Sequence, residues 1–129
     1  MSSNVSGNVS RAPLDEVLDA LRAANGERVA YSDWETTYVG RGARTIEITR
    51  NGRVIFAAVN ASAEVVALDA ETMEILTRIR TDSYAVGLDV APDGSQVWVT
   101  SQGRSGQGGN SVCVFSVEGP ALGRAEEAD

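Results

Sequence analysis

Residues 43–60 read ARTIEITRNGRVIFAAVN, and residues 85–102 read AVGLDVAPDGSQVWVTSQ. Set 42 positions apart, the two stretches place Ile46 on Leu88, Ile48 on Val90, Ile55 on Val97 and Phe56 on Trp98. The turn pair Asn51-Gly52 falls on Asp93-Gly94. The match resumes after a five-residue insertion, with AEVVALD (63–69) against NSVCVFS (110–116).

A period of about 40–45 residues made of short strands is the length of one four-stranded propeller blade. The repeat therefore predicts an all-β chain of about two antiparallel meanders, near 38–80 and 81–117, preceded by one short helix. Strands are expected near 34–39, 44–49, 54–59, 64–69, 74–80, 86–91, 96–101 and 112–117. Asn51-Gly52 and Asp93-Gly94 are hairpin signals between apolar runs, and Pro92 supplies a turn's φ where no ladder N–H is required. VIFAAV (54–59) and VWV (97–99) are apolar on both faces, as strands between stacked sheets must be. Phe56 and Trp98 are accordingly expected to be buried alike. Arg78 and Arg80 in the strand at 74–80 suit an outer, wetter edge.

Working outward, residues 13–26 hold a short amphipathic helix. Pro13 opens it, and Leu14, Val17, Leu18 and Leu21 form one stripe. Asp15, Glu16 and Asp19 lie toward the positive end and Arg22 toward the negative end. Asn25-Gly26 supplies a left-handed stop. So short a helix is marginal in water and must dock on something. Residues 1–12 are polar and Ser/Asn-rich and read as a disordered lead. Residues 118–129, EGPALGRAEEAD, read as an acidic tail that frays.

The 129 residues carry 18 acids against 11 bases, a net charge of -7, and every base is arginine. With no lysine and no histidine, a Schiff-base lysine, a Walker lysine, a histidine general base and an imidazole metal ligand are all excluded within this chain. The acidic balance argues against nucleic acid as a partner, although Arg41, Arg44, Arg50 and Arg53 cluster locally. No apolar run approaches the roughly 20 residues of a membrane span. MSSNVSGNVSRAP lacks the basic and apolar regions of a signal peptide. Cys113 is the single cysteine, so no disulfide forms within the chain, and in SVCVF it reads as a small buried residue. No cofactor motif is present, and the acids show no metal-ligand spacing.

The pattern ARTIEITRNGRVIFAAVNASAEVVALDAETMEILTRI, followed by YAVGLDVAPDGSQVWVTSQGRSGQGGNSVCVFSV, resembles the YVTN-repeat β-propellers, which include YncE-like proteins and are related to propeller lactonases. Asn60, Asp69 and Thr72 hold places that match the repeat's pattern. The resemblance covers roughly residues 38–117 and implies a larger ring of about seven blades, of which this chain looks like a C-terminal two-blade segment. It also implies a repeat that completes itself by assembly or with further blades, and an extracytoplasmic setting if exported relatives are followed. Residues 34–39 would ordinarily be the outer strand of a preceding blade; alternatively they add to the open edge of the second blade.

Two places carry candidate chemistry. The inserted loop GRSGQGGNS (103–111) exposes backbone N–H groups beside Arg104, with Gln102 and Asn110 flanking; it lacks the helix and lysine of a P-loop. The plainer reading is a long hairpin loop that uses glycine for positive φ. The second place is the channel that innermost strands of a propeller line, where Arg44, Glu47 and Asp89 are candidates for a polar ligand; the plainer reading is a solvated lining. Asp69 is expected to bond the backbone of its own turn. These features predict a non-catalytic binding scaffold for an unknown protein or small polar ligand. The alternatives are a lactonase-like hydrolase of sugar lactones and a structural repeat of a surface protein. Self-association or remaining propeller blades are expected to cover the open faces.

Overall fold

A computed structural model describes residues 1–119. The acidic tail from Pro120 on lies outside the described residues. The chain runs β1 (Ser2–Ser3), β2 (Asn8–Arg11), α1 (Leu14–Ala23), β3 (Glu35–Tyr38), β4 (Ala43–Ile48), β5 (Val54–Val59), β6 (Glu64–Asp69), β7 (Ile75–Arg80), β8 (Ala85–Val90), β9 (Gln96–Ser101) and β10 (Ser111–Ser116). All pairings are antiparallel, in sheets ordered β1-β2-β3, β4-β5-β6-β7 and β10-β9-β8. The chain is all-β, built of blade-like sheets with one short helix.

The 42-residue repeat holds in register as well as in sequence. Ile46 pairs Ala57 and Glu47 pairs Phe56; Leu88 pairs Val99 and Asp89 pairs Trp98. Both inner pairs slip by a bulge at the same place, between Ala43 and Ile46 and between Ala85 and Gly87. The turns repeat too. Gly52 N–H donates to the Thr49 carbonyl at 2.8 Å and Gly94 N–H to the Ala91 carbonyl at 2.8 Å. Asn51 and Asp93 each accept from the backbone N–H two residues on, at Arg53 and Ser95. Gly52 and Gly94 sit at φ 71° and 74°, the left-handed region that glycine enters without steric cost.

The central sheet is buried on both faces. Val54, Phe56, Ala58, Val65 and Ala67 pack against Leu88, Val97 and Val99 of the last sheet. On the other side Ala57, Val59, Val66 and Leu68 pack with Val9, Val39 and Met73. Hydroxyls join the sheets where side chains meet backbone: Thr45 Oγ1 donates to the Val86 carbonyl at 2.6 Å, and Ser2 Oγ to the Arg44 carbonyl at 2.8 Å.

Several expectations are overturned. Residues 1–12 are not a disordered lead, because β1 and β2 form a sheet with β3 and Val9 is fully buried against the central sheet. This first sheet is blade-like but three-stranded, so the described residues hold three sheets instead of about two. Its turn copies the later ones: Val39 N–H donates to the Gly7 carbonyl as Thr81 N–H does to Ala63, and Gly7, Ala63 and Asn110 are all left-handed. β3 pairs with β2 at the edge of that preceding sheet and not with the open edge of the last sheet.

Trp98 is the second correction. It occupies Phe56's place in the repeat, yet it is 48% exposed while Phe56 is 4% exposed. The face carrying Phe56 meets the next sheet, whereas the face carrying Trp98, Val112 and Val114 meets no described sheet. Cys113, on the opposite face of that sheet and packed against the core, is half-buried where full burial was expected.

The helix is the third. It forms with Pro13 as its N-cap and Asn25 and Gly26 left-handed beyond it, as its sequence predicts. None of its residues is buried, and Leu14 remains 71% exposed. It is tethered from outside, by Tyr31 donating to Glu16 Oε2 at 2.6 Å. That bond to a carboxylate favours the protonated phenol and pushes Tyr31 up to about 12.

The unequal burial makes a quantitative prediction. Phe56→Ala is expected to cost about 3–5 kcal/mol, the usual cost of emptying an aromatic site in a packed core, and Trp98→Ala less than about 1 kcal/mol, as befits a surface position. Urea unfolding of the two variants checks it; equal losses would contradict the packing.

Candidate functional site

Antiparallel strands alternate in direction, so the connections fall at two ends of the sheets. One end gathers 39–42, 60–63, 81–84 and the long loop 102–110; the other gathers 49–53, 70–74 and 91–95. Arg44, at the start of β4, and Gln102, Arg104 and Asn110 thus belong to the first end. Glu47 and Asp89, near the finish of β4 and β8, belong to the second. The predicted residues divide into two groups and do not form one constellation.

Arg44 and Asp89 are exposed. Asp89 Oδ1 accepts from the Val90 N–H at 2.9 Å. Glu47 is half-buried and lines a cleft with Leu14, Val17, Trp34, Ile48 and Ile55, between the helix and the central sheet. Among the described residues no hydrogen bond or ion pair joins the side chains of Arg44, Glu47 and Asp89. The channel group is therefore a set of separated charges.

The loop end is organised. Its centre is Asp82, a residue that the repeat alignment leaves unmarked because it lies in the connection between β7 and β8. One oxygen accepts from Ser83 N–H at 2.6 Å; the other accepts from Gly109 N–H at 3.1 Å and Ser111 Oγ at 2.6 Å. The Ser111 hydroxyl, then the Ser83 and Gly109 amides, hold this carboxyl below its ordinary value of 3.8 against the opposing effect of desolvation. Its neighbours crowd the loop: a Cβ at Gly108 would lie 2.5 Å from Ser83 Cβ and 2.7 Å from Asp82 Oδ1, so glycine is required there at φ 63°.

Tyr84 is the loop's second support. Its carbonyl accepts from Gln102 N–H at 3.0 Å, as the Gly42 carbonyl accepts from Asn60 N–H one repeat earlier. The Arg104 guanidinium carbon stands 5.8 Å from the Tyr84 ring centroid, close enough for a cation–π contact. Arg104 N–H and carbonyl exchange bonds with Gln107 at 2.9 and 3.0 Å, closing the loop tip. Gln102, Arg104 and Asn110 all remain exposed on this frame. The sequence signal for Asp82 was available in its Asp-Ser pair, which favours side-chain capture of a nearby N–H.

Asp69 behaves as its sequence predicts, accepting from Thr72 N–H at 2.9 Å and Glu71 N–H at 2.8 Å, and these bonds, Thr72's foremost, lower its pKa. Among the described residues no group of three or more Cys, Asp or Glu side chains is placed to hold a metal ion. Among them also no helix is long and apolar enough to cross a membrane.

No family model and no curated protein matches the chain. Among solved structures it is similar to Kuenenia stuttgartiensis hydrazine synthase, at a TM-score of 0.53 and 22% identity. The match covers 68% of this chain and 24% of that one, so the chain spans about a quarter of its neighbour's length. A likeness at this identity concerns the fold alone.

The Asp82 bonds make loop order pH-dependent in a definite direction. A depressed carboxylate pKa contributes stability that is full above the unfolded value and is lost as pH falls through the folded one. Exchange protection of the Gly109 amide should therefore hold from neutral pH down to about 4 and fall below it. Asp82→Asn should lose most of that protection at neutral pH. Hydrogen exchange followed by NMR measures both.

Proposed function

We propose that this chain is a non-catalytic, propeller-type binding scaffold, part of a larger YncE-like propeller, that holds a protein or small polar ligand at the rim formed by residues 102–110. One observation carries the reading: a glycine-rich insertion, which would otherwise be loose, is tied down by Asp82 and Tyr84. Ordering a loop before binding removes that cost from the binding step. The residues left facing outward, Gln102, Arg104 and Asn110, are hydrogen-bonding groups, and Arg104 adds a fixed positive charge suited to a carboxylate or carbonyl acceptor.

The chemistry of hydrolysis is thinly supplied here. A lactonase needs a base or metal to activate water, and the rim offers arginine, amides and a carboxylate already committed to three donors. Sugar-lactone hydrolysis is the competing outcome, through the resemblance to propeller lactonases.

Titration with gluconate, followed by amide shifts of residues 102–110, tests the proposal. Saturable shifts are expected, weakened at least tenfold by Arg104→Ala, with no gluconolactone hydrolysis above the buffer rate. Hydrolysis above that rate would favour the enzyme reading. Unmoved loop amides would remove the rim as a site for a small acid.

A further inference from the structure

The pair Asn-Gly stands twice in the chain, at 25–26 and at 51–52. Asparagine before glycine is open to one uncatalysed reaction. The glycine nitrogen, once it has lost its proton, attacks the asparagine Cγ and expels the side-chain nitrogen as ammonia. Water then opens the five-membered succinimide at either carbonyl, leaving aspartate or isoaspartate. The nitrogen must be approachable, which the missing Cβ of glycine permits. It must also be able to lose its proton, which a hydrogen bond donated from it opposes.

Access does not separate the two pairs. Asn25 and Asn51 are both exposed, and a Cβ added at Gly26 or Gly52 would meet nothing within 4 Å. Hydrogen bonding does separate them. Gly52 N–H donates to the Thr49 carbonyl at 2.8 Å. Asn51 Oδ1 accepts from Thr49 Oγ1 at 2.7 Å and from Arg53 N–H at 3.1 Å, so both reacting groups of that turn are held. Asp93-Gly94 is held alike, Gly94 N–H by the Ala91 carbonyl and Asp93 Oδ1 by Ser95 N–H. At the end of α1 the bonds pass to either side of the pair. Asn25 N–H donates to the Arg22 carbonyl at 3.1 Å, and Glu27 N–H to the Ala24 carbonyl at 2.8 Å. Among the described residues neither the Gly26 N–H nor the Asn25 side chain has a partner.

We propose that Asn25 is a site of spontaneous covalent modification, converted through a succinimide to aspartate and isoaspartate, while the same dipeptide at Asn51 is spared by its turn. The new carboxylate lies just beyond the negative end of α1, where an anion is least favoured. None of the helix residues is buried, so the added charge weighs directly on its last turn. The site belongs to the helical excursion between β2 and β3 and stands independently of the rim loop.

The full chain, held at mildly alkaline pH and sampled over days, is cut after glutamate and followed by mass spectrometry. The fragments 17–27, VLDALRAANGE, and 48–64, ITRNGRVIFAAVNASAE, report the two sites separately. The mass gain of an amide turned to an acid should appear at Asn25 at least tenfold faster than at Asn51. In concentrated urea, which removes the turn's hydrogen bonds, the two rates should converge to within about threefold. Amide exchange at Ala24, whose N–H donates to the Ala20 carbonyl, should be at least threefold faster in Asn25→Asp. Equal rates in the folded chain, or faster conversion at Asn51, would overturn the proposal. A difference that persists undiminished in urea would trace it to local sequence and overturn the turn's part in it. Unchanged exchange at Ala24 would overturn the effect on the helix.

Discussion

The contact of Phe56, Val54 and Ala58 with Val97 and Val99 is the interaction on which the remainder of the molecule depends. β5 and β6 are apolar on both faces, and a sheet of that kind has no stable existence in water until both faces are covered. The last sheet covers one face with a second apolar surface. The first sheet covers the other more sparingly, with Val9 and Val39 reinforced by Met73 from the central sheet's own turn. Polar links complete that second cover: Arg11 donates to the Ala70 carbonyl, and Thr37 Oγ1 to the Met73 carbonyl at 2.7 Å. A polar N-terminal segment is therefore ordered because its few apolar atoms and its hydroxyls meet a surface that must be covered.

Charge contributes little to this arrangement. The ion pairs among the described residues are Arg11–Glu35, Arg22–Asp19 and Arg78–Glu64, none of them buried. Exposed pairs of this kind are worth about 1 kcal/mol or less. The carboxylates that matter structurally, Asp69, Asp82 and Asp93, act through backbone N–H and serine hydroxyl groups instead, each fastening a turn. The fold is a hydrophobic stack whose connections are pinned by short acidic side chains.

How much of this was legible in the sequence follows from what a repeat encodes. Identical spacing specifies identical register, so the pairing of Ile46 with Ala57 and Leu88 with Val99, down to the shared bulge, could be read from the 42-residue offset. Burial is a property of neighbours, and a repeat is silent about whether the next sheet is present; hence Phe56 and Trp98, alike in position, differ in exposure. The first sheet escaped notice because β2, NVSR, has one apolar residue and is separated from β3 by the whole helical excursion. In the candidate site, the repeat break at 103–110 marked the loop, and Gln102, Arg104 and Asn110 lie exposed in the connection between β9 and β10. The support beneath it was hidden, since Asp82 reaches Gly109 and Ser111 across 27 and 29 residues. Glu47 and Asp89 were grouped with Arg44 on the strength of shared inner strands, although position along a strand decides which end a charge occupies.

The two outward faces of the stack differ in kind. Val9 and Thr37 of the first sheet turn toward the centre, so Asn8, Ser10, Thr36 and Tyr38 turn away from it, with Ser10 and Thr36 sharing a hydroxyl bond at 2.9 Å. The far face of the last sheet carries Trp98, Val112 and Val114. Stacking a further sheet on the hydroxyl-rich face would strip water from polar groups for little return, while stacking on the tryptophan face would bury apolar area. The two ends of the stack thus meet water on unlike terms, one through hydroxyl groups and the other through an indole and two valines.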